Sequence, residues 1–121
     1  MGKTVLVVED NPLNMKLVRV LLSRASYIVL EATEAPIGIS LAKEHRPDLI
    51  LMDVQLPGMD GLSATRIVLE DPLLRDIPIV ALTSFAMAGD EEKALQVGCV
   101  GYMTKPIETR TFLADIERYM K

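Results

Sequence analysis

Carboxylate, hydroxyl and ammonium side chains each follow one of four short apolar runs in this sequence. They are Glu9 and Asp10, Asp53, Thr83, and Lys105. Carboxylates that lie close together disfavour one another's ionised form, and a hard divalent cation relieves that repulsion. Mg²⁺ binds well to a few carboxylates, waters and phosphate oxygens. With a lysine and a hydroxyl beside them, the set predicts transfer of a phosphoryl group to a carboxylate, which gives an aspartyl phosphate.

The apolar runs that precede these side chains indicate buried strands. They occupy residues 5–8, 28–30, 49–52, 79–82 and, more weakly, 100–103. Short, continuous runs rich in β-branched residues are typical of parallel strands that are covered on both faces. The carboxyl ends of parallel strands open onto one crevice, at the point where the strand order reverses. We therefore expect the polar side chains to meet there, although they lie far apart in the chain.

Stretches with helical periodicity separate the apolar runs. The first begins at Pro12, whose missing N–H suits the first turn of a helix. The others lie at residues 37–42, 62–68, 90–97 and 112–120, and Asp60-Gly61 opens the third helix. Five strand–helix repeats predict an α/β fold of the flavodoxin-like (βα)5 type. We expect one domain over residues 1–121, with a doubly wound sheet of five parallel strands in the order 2-1-3-4-5 and helices on both faces.

Composition excludes several classes of function. The 121 residues carry a net charge of −4, which argues against a nucleic-acid or polybasic membrane surface. Half of the residues are hydrophobic, enough for a real core. No apolar run approaches the length of a membrane-spanning helix. The single cysteine cannot form an internal disulfide. We expect no direct contact with nucleic acid or membrane, and a cytoplasmic location.

The sequence resembles the receiver domains of two-component response regulators, in the CheY-like superfamily, over essentially its whole length. The matching motifs are residues 7–11 (VVEDN), 47–53 (PDLILMD), 56–61 (LPGMDG), 81–83 (ALT), and 105–106 (KP). Each motif is weak by itself, but their order and spacing together are highly specific. Residues 11–17 and 83–92 most resemble DivK-type single-domain regulators.

The resemblance implies a role for each matching position. Asp53 corresponds to the phosphoacceptor, and Lys105 to the lysine that contacts the phosphoryl group. Thr83 corresponds to the switch hydroxyl that moves onto that group, and Tyr102 to the aromatic switch that swings inward when Thr83 moves. Pro106 corresponds to a proline whose preceding peptide bond is usually cis in the family.

The resemblance also implies a metal site for Mg²⁺, in which Mn²⁺ can substitute. Asp10 and Asp53 would bind the ion directly and Glu9 through water. Gln55 would contribute its main-chain carbonyl. Gln55 and Phe85 stand at the two variable positions that tune the rate of dephosphorylation in the family.

The implied function is a phosphorelay response regulator, which catalyses only its own phosphorylation and dephosphorylation. The phosphoryl donor would be a histidine kinase or a histidine phosphotransfer protein. A downstream protein would bind the face formed by the fourth helix, fifth strand and fifth helix. We expect a monomer or weak dimer, and the DivK resemblance extends the expectation to control of the cell cycle or cell division.

Three alternatives compete with this interpretation. A phosphatase of the haloacid-dehalogenase type also uses an aspartate after a strand, but it needs a second aspartate where this chain has Gln55. A receiver that binds partners without phosphorylation would not need the intact Asp53, Asp10, Thr83 and Lys105. A flavodoxin-like nucleotide-binding domain would need a glycine-rich loop after the first strand, and none is present.

Overall fold

Strands and helices alternate through the computed structural model, which describes residues 2–83 and 90–120. The elements are β1 (Thr4–Val8), α1 (Pro12–Arg24), β2 (Ile28–Ala32), α2 (Ala35–His45), β3 (Leu49–Asp53), α3 (Gly61–Glu70), β4 (Ile79–Thr83), α4 (Asp90–Val97), β5 (Gly101–Thr104) and α5 (Phe112–Met120). The five expected strand–helix repeats are confirmed. Within these residues, no helix combines the length and apolar character needed to cross a membrane.

The five strands form one parallel sheet in the order β2-β1-β3-β4-β5, which confirms the predicted topology. The order reverses at β1, because the chain adds β2 on one side of β1 and β3 on the other. A crevice therefore opens between the carboxyl ends of β1 and β3. The residues that follow these two strands stand at its mouth.

Two apolar cores lie on opposite faces of the sheet, because successive strand residues point to opposite sides. On β1, Val5 and Val7 pack with α1 and α5, whereas Leu6 and Val8 pack with α2, α3 and α4. All of these β1 side chains are completely buried. A strand covered on both faces must be continuously apolar, which explains the uninterrupted runs in the sequence.

Side-chain caps fix the starts of the two helices that flank the crevice. Asn11 caps α1: its side-chain Oδ1 accepts hydrogen bonds from the N–H groups of Leu13 (2.9 Å) and Asn14 (3.2 Å). Asp60 caps α3 through its Oδ1, which accepts from the N–H of Ser63 at 2.9 Å. Both caps satisfy amide groups that have no partner inside the helix. They fix the direction in which the chain leaves the carboxyl ends of β1 and β3.

Candidate functional site

Three carboxylates converge at the crevice between β1 and β3. Glu9 and Asp10 follow β1 directly, and Asp53 is the last residue of β3. One carboxylate oxygen from each lies within 4.8 Å of the others. Glu9 and Asp53 are each only 1% exposed, whereas Asp10 is exposed. The structure thus brings the predicted acidic residues together and gives the cluster a buried side and an open side.

Lys105 supplies positive charge to the buried side of this cluster. Its Nζ lies 2.6 Å from Glu9 Oε1 and 2.8 Å from Asp53 Oδ2. Lys105 follows β5, and its backbone N–H donates to the carbonyl of Thr83 at 2.8 Å. This hydrogen bond holds the end of β5 against the end of β4. Among the described residues, Lys105 is the only cation that forms an ion pair with the cluster.

The charges of these neighbours shift one another's pKa values. Burial would raise the pKa of Asp53, but hydrogen bonds from its neighbours and the charge of Lys105 together hold it below its usual value. Burial and the adjacent Asp53 carboxylate raise the pKa of Glu9 to about 7. Burial would lower the pKa of Lys105, but the two carboxylates raise it instead. At neutral pH, Asp53 is thus an anion beside a cation, and Glu9 is the group that exchanges a proton.

The donor atoms of the cluster are all carboxylate oxygens, and those of Glu9 are held from two directions. Oε2 accepts a hydrogen bond from the N–H of Asn11 at 3.2 Å. Oε1 is buried and lies 2.6 Å from Lys105 Nζ. Carboxylates this close together repel one another, and a bound divalent cation relieves that repulsion. The oxygen-only donor set fits a hard divalent cation such as Mg²⁺.

The segment after β3 holds the carboxylate of Asp53 from a second direction. The N–H of Gln55 donates to Asp53 Oδ1 at 2.9 Å, while Lys105 contacts Oδ2. The N–H of Val54 donates to the carbonyl of Leu82 on β4 at 2.9 Å. Both oxygens of Asp53 are thus oriented by fixed donors. The side chain of Gln55 is exposed.

Thr83 and Tyr102 both line one cavity. Thr83 is buried at the end of β4, and Tyr102 is half-buried on β5, where it pairs with Ala81. Both line a cavity of about 200 Å³ beneath α4, together with Gln55. The peptide bond before Pro106 is cis. Phe85, the other variable position, lies outside the described residues.

Two residues that orient the site were not assigned roles from the sequence. Asn11 caps α1 and also donates its own N–H to Glu9. An asparagine before a proline is a signal for a helix start, and this signal was available in the sequence. Gly61, the first residue of α3, packs against the main chain of Asp53. No sequence signal reveals that contact, because it depends on where the helix lies.

Comparison with known proteins assigns this chain to a family. Residues 5–117 match the family described as response regulator receiver domain. The polar-differentiation response regulator DivK of Brucella anthropi is 48% identical over 120 residues, which cover 99% of this chain and 98% of that protein.

Solved structures agree with this assignment. One is the receiver domain of the sensor histidine kinase PA1611 from Pseudomonas aeruginosa, crystallised with a magnesium ion coordinated in its active-site cleft. It superposes with a TM-score of 0.91 and 36% identity, over 99% of this chain and 98% of that one. The chemotaxis protein CheY4 of Vibrio cholerae gives a TM-score of 0.92 and 27% identity, over 98% and 99% of the two chains.

Proposed function

This chain belongs to the family of response regulator receiver domains, and from that premise we propose that Asp53 is its phosphoacceptor, within a receiver domain that spans residues 1–121. The observation that carries the proposal is the setting of the Asp53 carboxylate. It is buried at the end of β3, with Lys105 Nζ at 2.8 Å from one oxygen and the N–H of Gln55 at 2.9 Å from the other. Two further carboxylates lie beside it. The protein is a signalling switch rather than an enzyme that acts on a separate substrate.

The transfer step that we propose exchanges one bond to phosphorus for another. A carboxylate oxygen of Asp53 attacks the phosphorus of a phosphohistidine on a histidine kinase or a histidine phosphotransfer protein. An O–P bond forms, the P–N bond breaks, and its electron pair stays on the donor's imidazole. The pKa of Asp53 is held low, so its carboxylate is ionised and can act as the nucleophile. The ammonium of Lys105 stabilises the charge on the phosphoryl oxygens.

The acidic cluster supports Mg²⁺ as the cofactor of this reaction, with Mn²⁺ as a substitute. In our proposal Asp10, Asp53 and the main-chain carbonyl of Gln55 hold the ion, and Glu9 holds it through water. When bound, the ion supplies charge neutralisation for the phosphoryl oxygens. The three carboxylates, whose oxygens lie within 4.8 Å of one another, support an added cation at this position.

The cavity between Thr83 and Tyr102 supports a switch in side-chain positions. Phosphorylation draws Thr83 onto the phosphoryl group, and the ring of Tyr102 turns into the space beneath α4. The cavity of about 200 Å³ that both residues line gives the ring room to do so. The face formed by α4, β5 and α5 then changes its affinity for a downstream protein. A Thr83→Ala variant that still binds its target only when phosphorylated would contradict this step.

The similarity to DivK supports a role in cell polarity and division. That relative is named a polar-differentiation response regulator, and its sequence aligns with 99% of this chain. We propose the same role for this protein. We also propose that it acts in the cytoplasm, as a monomer or weak dimer.

Intact-mass measurement after incubation with phosphoramidate and Mg²⁺ tests the proposal. We expect a single phosphoryl adduct on the wild type. No adduct should form on Asp53→Asn, nor on the wild type without Mg²⁺. Asp71→Asn, at the opposite end of the sheet, is the matched control and should react normally. If the wild type forms neither an adduct nor a beryllofluoride complex, the proposal fails and the chain binds partners without phosphorylation.

A further inference from the structure

Gly61, at the start of α3, lies closer to the main chain of Asp53 than any other residue type would permit. A methyl group added at Gly61 would lie 2.1 Å from the carbonyl oxygen of Asp53. It would also lie 2.8 Å from the carbonyl carbon of Asp53 and 2.8 Å from Cα of Val54. These atoms belong to the backbone, so no rotation of a side chain relieves the overlap.

The Asp53 peptide cannot move away from such a methyl group, because β4 holds it from the other side. Asp53 pairs with Leu82 in the sheet. The N–H of the next residue, Val54, donates to the carbonyl of Leu82 at 2.9 Å. The carbonyl of Val54 in turn accepts from the N–H of Gly61 at 3.3 Å. The backbone that carries the carboxylate is therefore clamped between β4 and the first residue of α3.

Side-chain hydrogen bonds also fix the first turn of α3. The Oδ1 of Asp60 accepts from the N–H of Ser63 at 2.9 Å, and its Oδ2 accepts from the Ser63 hydroxyl at 3.1 Å. The buried hydroxyl of Thr65 donates to the carbonyl of Gly61 at 2.8 Å. These local hydrogen bonds hold Gly61 in place within the first turn of α3.

We infer that Gly61 is a positioning residue: its close contact with the Asp53 carbonyl fixes the positions of the Asp53 carboxylate and of the Gln55 N–H. The inference deepens the proposed function and rests on Asp53 being part of a metal-assisted acceptor site. The hydrogen bond from the N–H of Gly61 to the carbonyl of Val54 closes residues 54–60 into a loop. The loop holds the Gln55 N–H on Asp53 Oδ1 at 2.9 Å. A methyl group at residue 61 would push the start of α3 away from Asp53. The Asp53 carboxylate and the Gln55 N–H would then both move.

Binding of Mg²⁺ to Gly61→Ala is the direct test, followed by NMR chemical shifts of the Val54 and Gln55 amides. We expect Mg²⁺ to bind about tenfold or more weakly, the loss typical when groups that orient metal ligands are disturbed. Gly101→Ala is the matched control. A methyl group there would lie 2.3 Å from the Tyr119 ring, at the other end of the sheet, but this neighbour is the end of a side chain rather than backbone. Only Gly61→Ala should lose affinity for Mg²⁺, and Gly101→Ala should keep it.

Two substitutions of Asp60 test the same inference without crowding the backbone. Asp60→Asn and Asp60→Ala both remove the negative charge, but only asparagine keeps a side-chain cap. If the cap holds Gly61 in place, the alanine variant should bind Mg²⁺ more weakly than the asparagine variant, because only alanine loses the hydrogen bond to the Ser63 N–H. This comparison decides the matter if Gly61→Ala does not fold.

The outcomes separate the inference from the proposed function. If the wild type shows no Mg²⁺-dependent change and forms no beryllofluoride complex, the proposed function fails, and the inference fails with it. If the wild type binds Mg²⁺ and Gly61→Ala binds it equally well, the inference alone is overturned. If Gly61→Ala does not fold, the comparison of the Asp60 variants applies. Equal affinities of Asp60→Ala and Asp60→Asn for Mg²⁺ would then overturn the inference.

Discussion

Binding of Mg²⁺ should release a proton from Glu9, and its affinity should therefore depend on pH near neutrality. Burial and the adjacent Asp53 carboxylate raise the pKa of Glu9 to about 7 in the metal-free protein. A divalent cation beside the cluster favours the ionised carboxylate, so the ion and the proton compete. The pKa of Asp53 is held low, and that group has no proton to release.

The size of the effect follows from this pKa. With a pKa of about 7, binding should release about half a proton at pH 7 and about 0.9 at pH 6. The apparent dissociation constant for Mg²⁺ should rise about tenfold between pH 8 and pH 6. NMR titration at each pH gives the dissociation constant, and a pH-stat measures the protons released.

The variant Glu9→Gln isolates the cause, because glutamine keeps the shape but does not titrate. It should bind Mg²⁺ more weakly at pH 8, with almost no dependence on pH between 6 and 8. Glu31→Gln is the control, since Glu31 is an exposed carboxylate on β2 paired with Arg19 at 3.0 Å. The reasoning is refuted if wild-type affinity is flat over this pH range, or if Glu9→Gln keeps the tenfold change.

The structure supports five further predictions. In the metal-free protein, the contribution of Glu9 to the free energy of unfolding should be complete below pH 4.5 and lost as the pH rises through about 7. The contribution of Asp53 should be present above pH 3.8 and lost on acidification, and urea melts across the pH range measure both. Lys105→Met should lower the free energy of unfolding by about 3 kcal/mol at pH 8, because it leaves buried carboxylates without their cation. The loss should be smaller at pH 5. An equal loss at both pH values would contradict this prediction. Asn11→Ala should cost about 1 kcal/mol through loss of the α1 cap, and Asn11→Ser should recover most of it in the same melts. The Cys99 thiol is buried and its pKa is raised, so a thiol reagent should modify it only as fast as the chain opens; rapid reaction in native buffer would argue against that burial.

The amino-acid sequence by itself determined the order of the elements and the residues at their ends. Continuous apolar runs marked the central strands, because a strand covered on both faces is apolar along almost all of its length. The predicted helix at residues 62–68 proved to be α3 (Gly61–Glu70), with Asp60 as its cap. The run at 28–30 was shorter than β2 (Ile28–Ala32), because this edge strand is partly exposed and includes the charged Glu31. The motifs at the strand ends were sufficient to indicate the family.

Only the tertiary structure decided how the site residues differ from one another. Glu9 and Asp10 are neighbours in the chain, yet one is buried against Lys105 and the other is exposed. The proton of Glu9 and the low pKa of Asp53 arise from contacts between β1, β3 and the end of β5, which lie far apart in sequence. The contact of Gly61 with the Asp53 carbonyl depends on where the whole of α3 packs against the sheet. Periodicity and local propensity act over a few residues, whereas burial, charge coupling and steric contact are set by segments that meet only on folding.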